Sequence, residues 1–333
     1  MSKVNVTTPE KAKKIIAEAV AKQEAKGGIK NVFCVACGGS LGCFYPMTYL
    51  IKQLATTYTC DSVSSNEFVH ATPRSLGENS LVFAMSLAGG TPETVEAARV
   101  AKQAGATVIT LAAKEEAPLN ENADFTAIYR IELDNVYEEA NQAVILNLAF
   151  ELLNQTEGFE HYIDAMDGIS KIGTMCANAV KKIRMRAEAW GERMKDEPVI
   201  YTMGSGPSTF VAYMQCICMF MEMEWVNSNC IHTGEYFHGP FEITDKNVPF
   251  LLFMSEGRTR PLDERALRFL NKYAEKVEVL DAKELGINII KDTVVEFFNP
   301  ILHWTIGLEY AEGLAKAKKH PLMMRRYLGK VEY

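Results

Sequence analysis

The segment NVFCVACGGSLGCFYPMTYLIKQL, starting at Asn31, reads as a short apolar strand, a glycine-rich turn and a helix. The segment PVIYTMGSGPSTFVAYMQCICMFMEMEW, starting at Pro198, repeats that order. SLVFAMSLAGGTPETVEAARVAKQAG and the strand ATVITLAA follow the first copy, and VPFLLFMSEGRTRPLDERALRFLNKYA and the strand KVEVLDA follow the second. A chain that writes strand, glycine-rich loop, helix and strand twice carries a duplicated α/β unit. Apolar strands alternating with amphipathic helices require parallel sheets covered on both faces. Each half is therefore expected to be a doubly wound parallel sheet flanked by helices, a flavodoxin-like three-layer sandwich that binds ligands at the carboxyl ends of its strands.

The pattern predicts an N-terminal helix within residues 1–29, with Thr7 or Thr8 as its cap, and a first α/β domain over 30–155. A connecting helix over 156–196, a second α/β domain over 197–312 and a tail over 313–333 complete the expected organisation. At 333 residues and 48% hydrophobic, the chain can bury substantial cores. A net charge of -7 argues against a nucleic-acid partner, because phosphate backbones select basic surfaces. The basic runs KKIRMR (Lys181 to Arg186) and KAKKH (Lys316 to His320) are too local to change that. SKVNVTTPEKAKK after Met1 contains no apolar targeting core, and no run reaches membrane-spanning length. The expectation is a soluble, cytoplasmic protein without a membrane partner. The eight cysteines sit mostly in apolar segments, as reduced buried thiols do. Cys34 and Cys37 form a CxxC, but no second pair stands at zinc spacing, so no metal is expected.

Three stretches carry chemistry. The glycine-rich turns at Gly38 to Gly42 and Gly204 to Thr209 miss the GxGxxG fingerprint, although Asp61 lies at a distance suited to a ribose contact, and no GK[ST] occurs. Nucleotide cofactors are thus not signalled, and none is expected. SLAGGTPET, from Ser86 to Thr94, stands between an apolar strand and a helix and combines three hydroxyls with helix N-terminal amides. Those groups suit a small phosphate monoester, while Thr91 can cap the helix that Pro92 begins. GEYFHGPFEI, from Gly234 to Ile243, sets His238 between aromatics and a Gly-Pro turn. Glu222 and Glu224 both end an apolar helix, where burial and the negative helix terminus raise a carboxylate's pKa. Residue physics alone does not choose between them.

SLAGGTPET resembles the phosphosugar loop SxSGxTx[DE]T of the sugar isomerase (SIS) domain family, and CGGS at Cys37 to Ser40 looks like that family's first sugar-binding turn. Two such domains in tandem with HGP in the second resemble the isomerase half of glucosamine-6-phosphate synthase. The ME, GExxHGPxEI, VPFL and RRYLGKVEY stretches resemble the fructosamine deglycases, the fructoselysine and glucoselysine 6-phosphate enzymes, over nearly the whole chain. The resemblance implies tandem SIS domains and a catalytic pair of Glu222 and His238. It implies substrate and phosphate contacts at Gly39, Ser40, Ser86, Leu87, Thr91 and Thr94, with Glu235 a secondary contact to sugar or amine. Ala88 departs from the pattern by replacing the loop's second serine, so that contact is lost or passes to the backbone.

The implied substrate is a phosphorylated sugar amine, cleaved by water to a hexose 6-phosphate and a free amino acid through an enaminol. No cofactor is required. The implied assembly is a homodimer or higher homo-oligomer in which His238 reaches the phosphate loop of a neighbouring subunit. An aldose-ketose isomerase would use the same acid and base, whereas a non-catalytic sugar-phosphate sensor would need neither Glu222 nor His238.

Overall fold

The computed structural model describes residues 5–131 and 136–332. The first four residues, positions 132–135 of the first domain, and Tyr333 at the end of RRYLGKVEY lie outside the described residues. The chain divides into two compact units, Met1–Gly173 and Thr174–Tyr333.

In the first unit, helix α1 (Pro9–Glu24) is capped by Thr8, whose hydroxyl accepts the Lys11 amide at 3.4 Å. Strand β1 (Asn31–Ala36) feeds helix α2 (Gly38–Leu54), and strand β2 (Thr59–Ser64) feeds the short helix α3 (Ser65–His70). Strand β3 (Ser80–Met85) leads into helix α4 (Pro92–Gln103), then come strands β4 (Thr107–Ala112) and β5 (Phe125–Ile128) and helix α5 (Asn141–Glu157). The sheet is parallel throughout, in the order β2-β1-β3-β4-β5. Strands β3 and β4 are buried along their whole length because helices cover both faces. Phe33, Val35, Val82 and Ala84 pack on one face with Phe68 of α3 and Ala97, Ala98 and Ala101 of α4. On the other, Phe83 meets Phe44 of α2 at 6.5 Å, and Cys34 meets Met47 at 3.6 Å. Period-two alternation thus divides each strand between two helical layers. Strand order reverses between β1 and β3, so their carboxyl ends form the crevice where such sheets bind ligands. The CGGS turn and the Ser86 loop leave the sheet there.

Helix α6 (Tyr162–Met194) contains the boundary between the units. In the second unit, strand β6 (Val199–Gly204) precedes helix α7 (Thr209–Met214), which continues as a π-helix over Gln215–Met223. Strand β7 (Asn227–His232), strand β8 (Phe250–Met254), helix α8 (Arg260–Tyr273), strand β9 (Val277–Asp281), the one-turn helix α9 (Ala282–Leu285) and helix α10 (Asn299–Lys318) follow. This sheet is also parallel, in the order β7-β6-β8-β9, which repeats the arrangement of β2-β1-β3-β4. Met203, Leu252 and Met254 pack with Ala266 and Leu270 of α8. Phe253 meets His303 of α10 at 5.5 Å, and His303 is held between Ser208 and the Leu280 carbonyl at 2.8 and 3.0 Å. No helix among the described residues is long and apolar enough to cross a membrane.

Candidate active site

In the first unit, the loop from Ser86 to Thr91 commits the carbonyls of Ser86, Leu87 and Gly89 to the fold and leaves three of its amides open among the described residues. The Ser86 carbonyl accepts from Gly89, that of Leu87 from Ala113 and that of Gly89 from Leu119, at 3.0, 3.2 and 3.0 Å. Tyr129, at the end of β5, adds its hydroxyl to the Ser86 and Leu87 carbonyls at 3.3 and 3.0 Å. The exposed amides of Leu87, Ala88 and Gly90 have no hydrogen-bond partner among the described residues. Ser86 Oγ lies 2.8 Å from Thr91 Oγ1 and accepts the Thr91 amide at 3.2 Å, so the two hydroxyls converge at the start of α4. Outward amides, paired hydroxyls and a helix N-terminus make a nest for an anion. The free Ala88 amide can take the contact that a serine hydroxyl would supply.

Gly39 and Ser40 lie in the first turn of α2, half-buried, where Cys37 is the cap residue. Because β1 and β3 pair as Ala36 with Met85, this turn and the Ser86 loop leave adjacent strands at the same end. Thr94 corrects an expectation. It is fully buried, with its hydroxyl 2.8 Å from Ser65 Oγ, and it faces the interior while Ser86, Leu87 and Thr91 form the open loop. One turn into α4, its side chain points back toward the neighbouring strand end.

In the second unit, Glu222 occupies the last turn of the π-helix, a rare form that frequently occurs at functional sites. Its Oε1 accepts from Arg325 Nε at 2.9 Å. Its second oxygen has no hydrogen-bond partner among the described residues. Glu222, Trp225, Arg325 and Tyr327 help line a pocket of about 440 Å³. His238 is exposed, and its amide donates to the Glu235 carbonyl at 2.9 Å. Glu235 is likewise exposed, within the same run of turns.

The expectation of a buried Glu222 is not met. Its side chain is 32% exposed and ion-paired, whereas Glu224 is 1% exposed with neither carboxylate oxygen hydrogen-bonded among the described residues. Burial pushes the Glu224 carboxyl up to about 7, against a smaller opposing effect of Lys318. The next residue, Trp225, turns the chain at φ 54, a left-handed conformation unusual for a bulky residue, with Arg326 4.0 Å over its ring. The two glutamates therefore differ in environment although they are neighbours in sequence.

Glu224 also makes stability depend on pH. A carboxyl whose folded-state pKa is raised contributes stability that is complete below its ordinary value near 4.5 and is lost as pH rises through about 7. Ionised Glu224 thus costs on the order of 3 kcal/mol above neutrality. Glu224→Gln is expected to raise the melting temperature at pH 8 and to flatten its decline between pH 5 and 8. Parallel wild-type and variant curves across that range would show that Glu224 is not a buried titrating acid.

A family model for the SIS domain matches residues 28–151. The fructosamine deglycase FrlB of Bacillus subtilis (strain 168) is 40% identical over 312 residues, covering 93% of this chain and 95% of that protein. The chain belongs to the SIS domain family. Among other relatives of this SIS protein, the fructoselysine 6-phosphate deglycase of Escherichia coli (strain K12) is 24% identical over 271 residues, 81% of this chain and 78% of that protein. A crystal structure from Salmonella typhimurium LT2, described as that of a candidate phosphosugar isomerase, superposes with a TM-score of 0.94 at 42% identity, covering 98% of this chain and 97% of that one. The matched SIS domain lies in the first unit and includes both the CGGS turn and the Ser86 loop.

Two residues of this SIS protein that touch the site carry no signal in the sequence. Tyr129 supports the Ser86 loop from a different strand, and no spacing announces that role. Arg325 falls within RRYLGKVEY, a stretch notable only for its resemblance, and folding brings it to a glutamate 103 residues earlier.

Proposed function

We propose that this protein is a deglycase that cleaves a 6-phosphorylated Amadori adduct, fructoselysine or glucoselysine 6-phosphate, to a hexose 6-phosphate and a free amino acid. The observation that carries the phosphate assignment is the Ser86 loop, with the carbonyls of Ser86, Leu87 and Gly89 consumed and the amides of Leu87, Ala88 and Gly90 unpaired among the described residues. The names of the similar proteins, a fructosamine deglycase and a fructoselysine 6-phosphate deglycase, supply the sugar-amine chemistry.

In this reading Ser86, Leu87 and Thr91 hold the phosphate, while Gly39 and Ser40 bind the sugar. His238 assists ring opening and later exchanges protons around the C2 oxygen and the amine. For a ketose adduct with the amine on C1, Glu222 takes a proton from C1, giving an enaminol, and protonation at C2 gives an imine that water hydrolyses. For an aldose adduct with the amine on C2, the proton leaves C2 and returns at C1 before the same hydrolysis. Arg325 on one oxygen of Glu222 fixes the carboxylate while the other stays available to a proton. Glu235 is a secondary contact for the sugar or the amine. Phosphate binding far from C1 supplies energy that positions the reacting carbon. The active form is proposed to be a homodimer.

The test is incubation with lysine adducts of glucose and fructose, each with and without the 6-phosphate, while released lysine is measured. Release from a phosphorylated adduct only is expected, because without its anion the loop leaves amides unpaired. The protein of Salmonella described as a candidate phosphosugar isomerase motivates the second reading. Isomerisation of a sugar phosphate without amine release would establish that reading, and equal release from the unphosphorylated adduct would remove the phosphate role of the loop.

A further inference from the structure

The loops after the third strand of the two sheets have equal length and a common pattern. Ser86 to Thr94 (SLAGGTPET) and Ser255 to Asp263 (SEGRTRPLD) both start with serine and set proline at the same position, Pro92 and Pro261. Their last residues are tied in the same way. Thr94 Oγ1 lies 2.8 Å from Ser65 Oγ, the residue after β2, and Thr233 Oγ1, the residue after β7, donates to Asp263 Oδ1 at 2.7 Å. The duplication has kept this bond but changed its partner from a hydroxyl to a carboxylate.

The carboxylate also reaches the first residue of the second loop. Asp263 Oδ2 accepts the Ser255 amide at 2.9 Å, and the Glu256 amide donates to Asn299 Oδ1 at 2.8 Å. Arg258 pairs with Glu296, and Arg260 pairs with Asp281 at 2.8 Å. In the second loop the amides of Ser255 and Glu256 donate to the chain's own side chains, whereas in the first those of Leu87, Ala88 and Gly90 have no partner among the described residues.

Thr233 immediately precedes GEYFHGPFEI. His238 is exposed, so its position is inherited from the anchors of this segment. Helix α8 supplies them: Phe269 contacts the rings of Tyr236, Phe237 and Phe241 at 5.9, 5.6 and 5.8 Å, and Arg265 lies 4.1 Å over Phe237. Asp263 is on the same helix, fully buried, and holds the residue that leads into the segment.

We infer that Asp263 is a positioning residue for His238, a buried carboxylate that ties the start of the second loop to the end of β7 and fixes the His238 segment through Thr233. The inference rests on the proposed role of His238 as a proton carrier. A charged acceptor that serves both Thr233 and Ser255 couples the end of β7 to the end of β8, and a neutral side chain cannot accept both bonds as well.

The test compares wild type with Thr233→Val, Thr233→Ser and Asp263→Asn in the full-length protein. It measures kcat, KM and hydrogen exchange of peptides over 234–243 and 86–94. Thr233→Val is expected to lower kcat by about 10-fold or more, as small misplacements of a reacting group do. KM should stay within about twofold, since the loop proposed to hold phosphate is untouched. Exchange should rise over 234–243 and not over 86–94. Thr233→Ser, which keeps the donor, should restore both readouts, and Asp263→Asn should resemble Thr233→Val. Unchanged exchange over 234–243 in Thr233→Val, or a Thr233→Ser variant as impaired as Thr233→Val, would overturn the inference. Accelerated exchange confined to 234–243 with wild-type kcat would keep Asp263 as the brace and remove His238 from the proton chemistry.

Discussion

Glu222→Gln and His238→Ala are each expected to lower kcat by about 10²-fold or more, with KM and melting temperature close to wild type. A positioned acid or base contributes on the order of 10² to 10⁴ in rate, so each loss is worth about 3 kcal/mol or more of barrier. The amide of Glu222→Gln keeps the shape of glutamate but accepts no proton from carbon. Neither side chain carries the fold: Glu222 is part-exposed with one ion pair, and His238 is exposed. Loss of the Arg325 pair should therefore cost no more than about 1 kcal/mol of stability. Steady-state kinetics with a phosphorylated adduct, beside a thermal melt, checks both halves of the expectation. Wild-type kcat in Glu222→Gln would take the base role from Glu222 and turn attention to Glu224, whose raised pKa suits a proton carrier. If a homodimer shares its sites, mixing the two inactive variants restores part of the activity, whereas hybrid dimers without activity would put each site within one chain.

Gly89→Ala is expected to disable the Ser86 loop and destabilise the first unit by about 3 kcal/mol, the sum of two costs. Gly89 sits at φ 75, and a Cβ there would lie 2.3 Å from the Cβ of Ala117 and 3.2 Å from that of Ala112. The left-handed backbone costs an L-residue about 1–2 kcal/mol and the overpacking about 1–3 kcal/mol more. Relief requires the loop to move, which breaks the bonds of Gly89 to Ser86 and Leu119. The amides of Leu87, Ala88 and Gly90 then lose their common direction. KM for a phosphorylated substrate should rise about 10-fold or more, and competition by inorganic phosphate should disappear. Gly90→Ala is the control for stability, because a Cβ there meets nothing within 4 Å. A Gly89→Ala protein with wild-type melting and phosphate inhibition would refute both the loop geometry and its assigned ligand.

The parts of the molecule that are readable in advance are those ruled by short-range forces. VFCVA, SLVFAM and TVITLA are runs of mostly apolar, β-favouring residues, and each forms a buried parallel strand. The Thr-Pro pair at Thr91 and Pro92 announces the start of α4, and the glycine-rich turns announce the ends of strands. The environment of Glu222 is not readable in this way. The two glutamates share an apolar helix end, but side chains two positions apart leave a helix on different sides, and only packing decides which side is dry. Glu224 turns into the interior and Glu222 toward Arg325. Thr94 differs from expectation for a related reason: in a motif it counts as one more hydroxyl, yet its place on α4 directs it to Ser65.

The sequence by itself determined the duplicated parallel α/β architecture, the loops at the carboxyl ends of the strands and the family resemblance. Periodicity, glycine and proline act over a few residues and need no knowledge of distant neighbours. Tertiary structure alone decided which glutamate is dry, which loop amides are taken by distant side chains and what holds the His238 segment. Those properties depend on desolvation and hydrogen-bond partners contributed from far along the chain, such as Asn299 to Glu256 and Asp263 to Thr233. An amide is available to a ligand only when no side chain of the fold has already reached it.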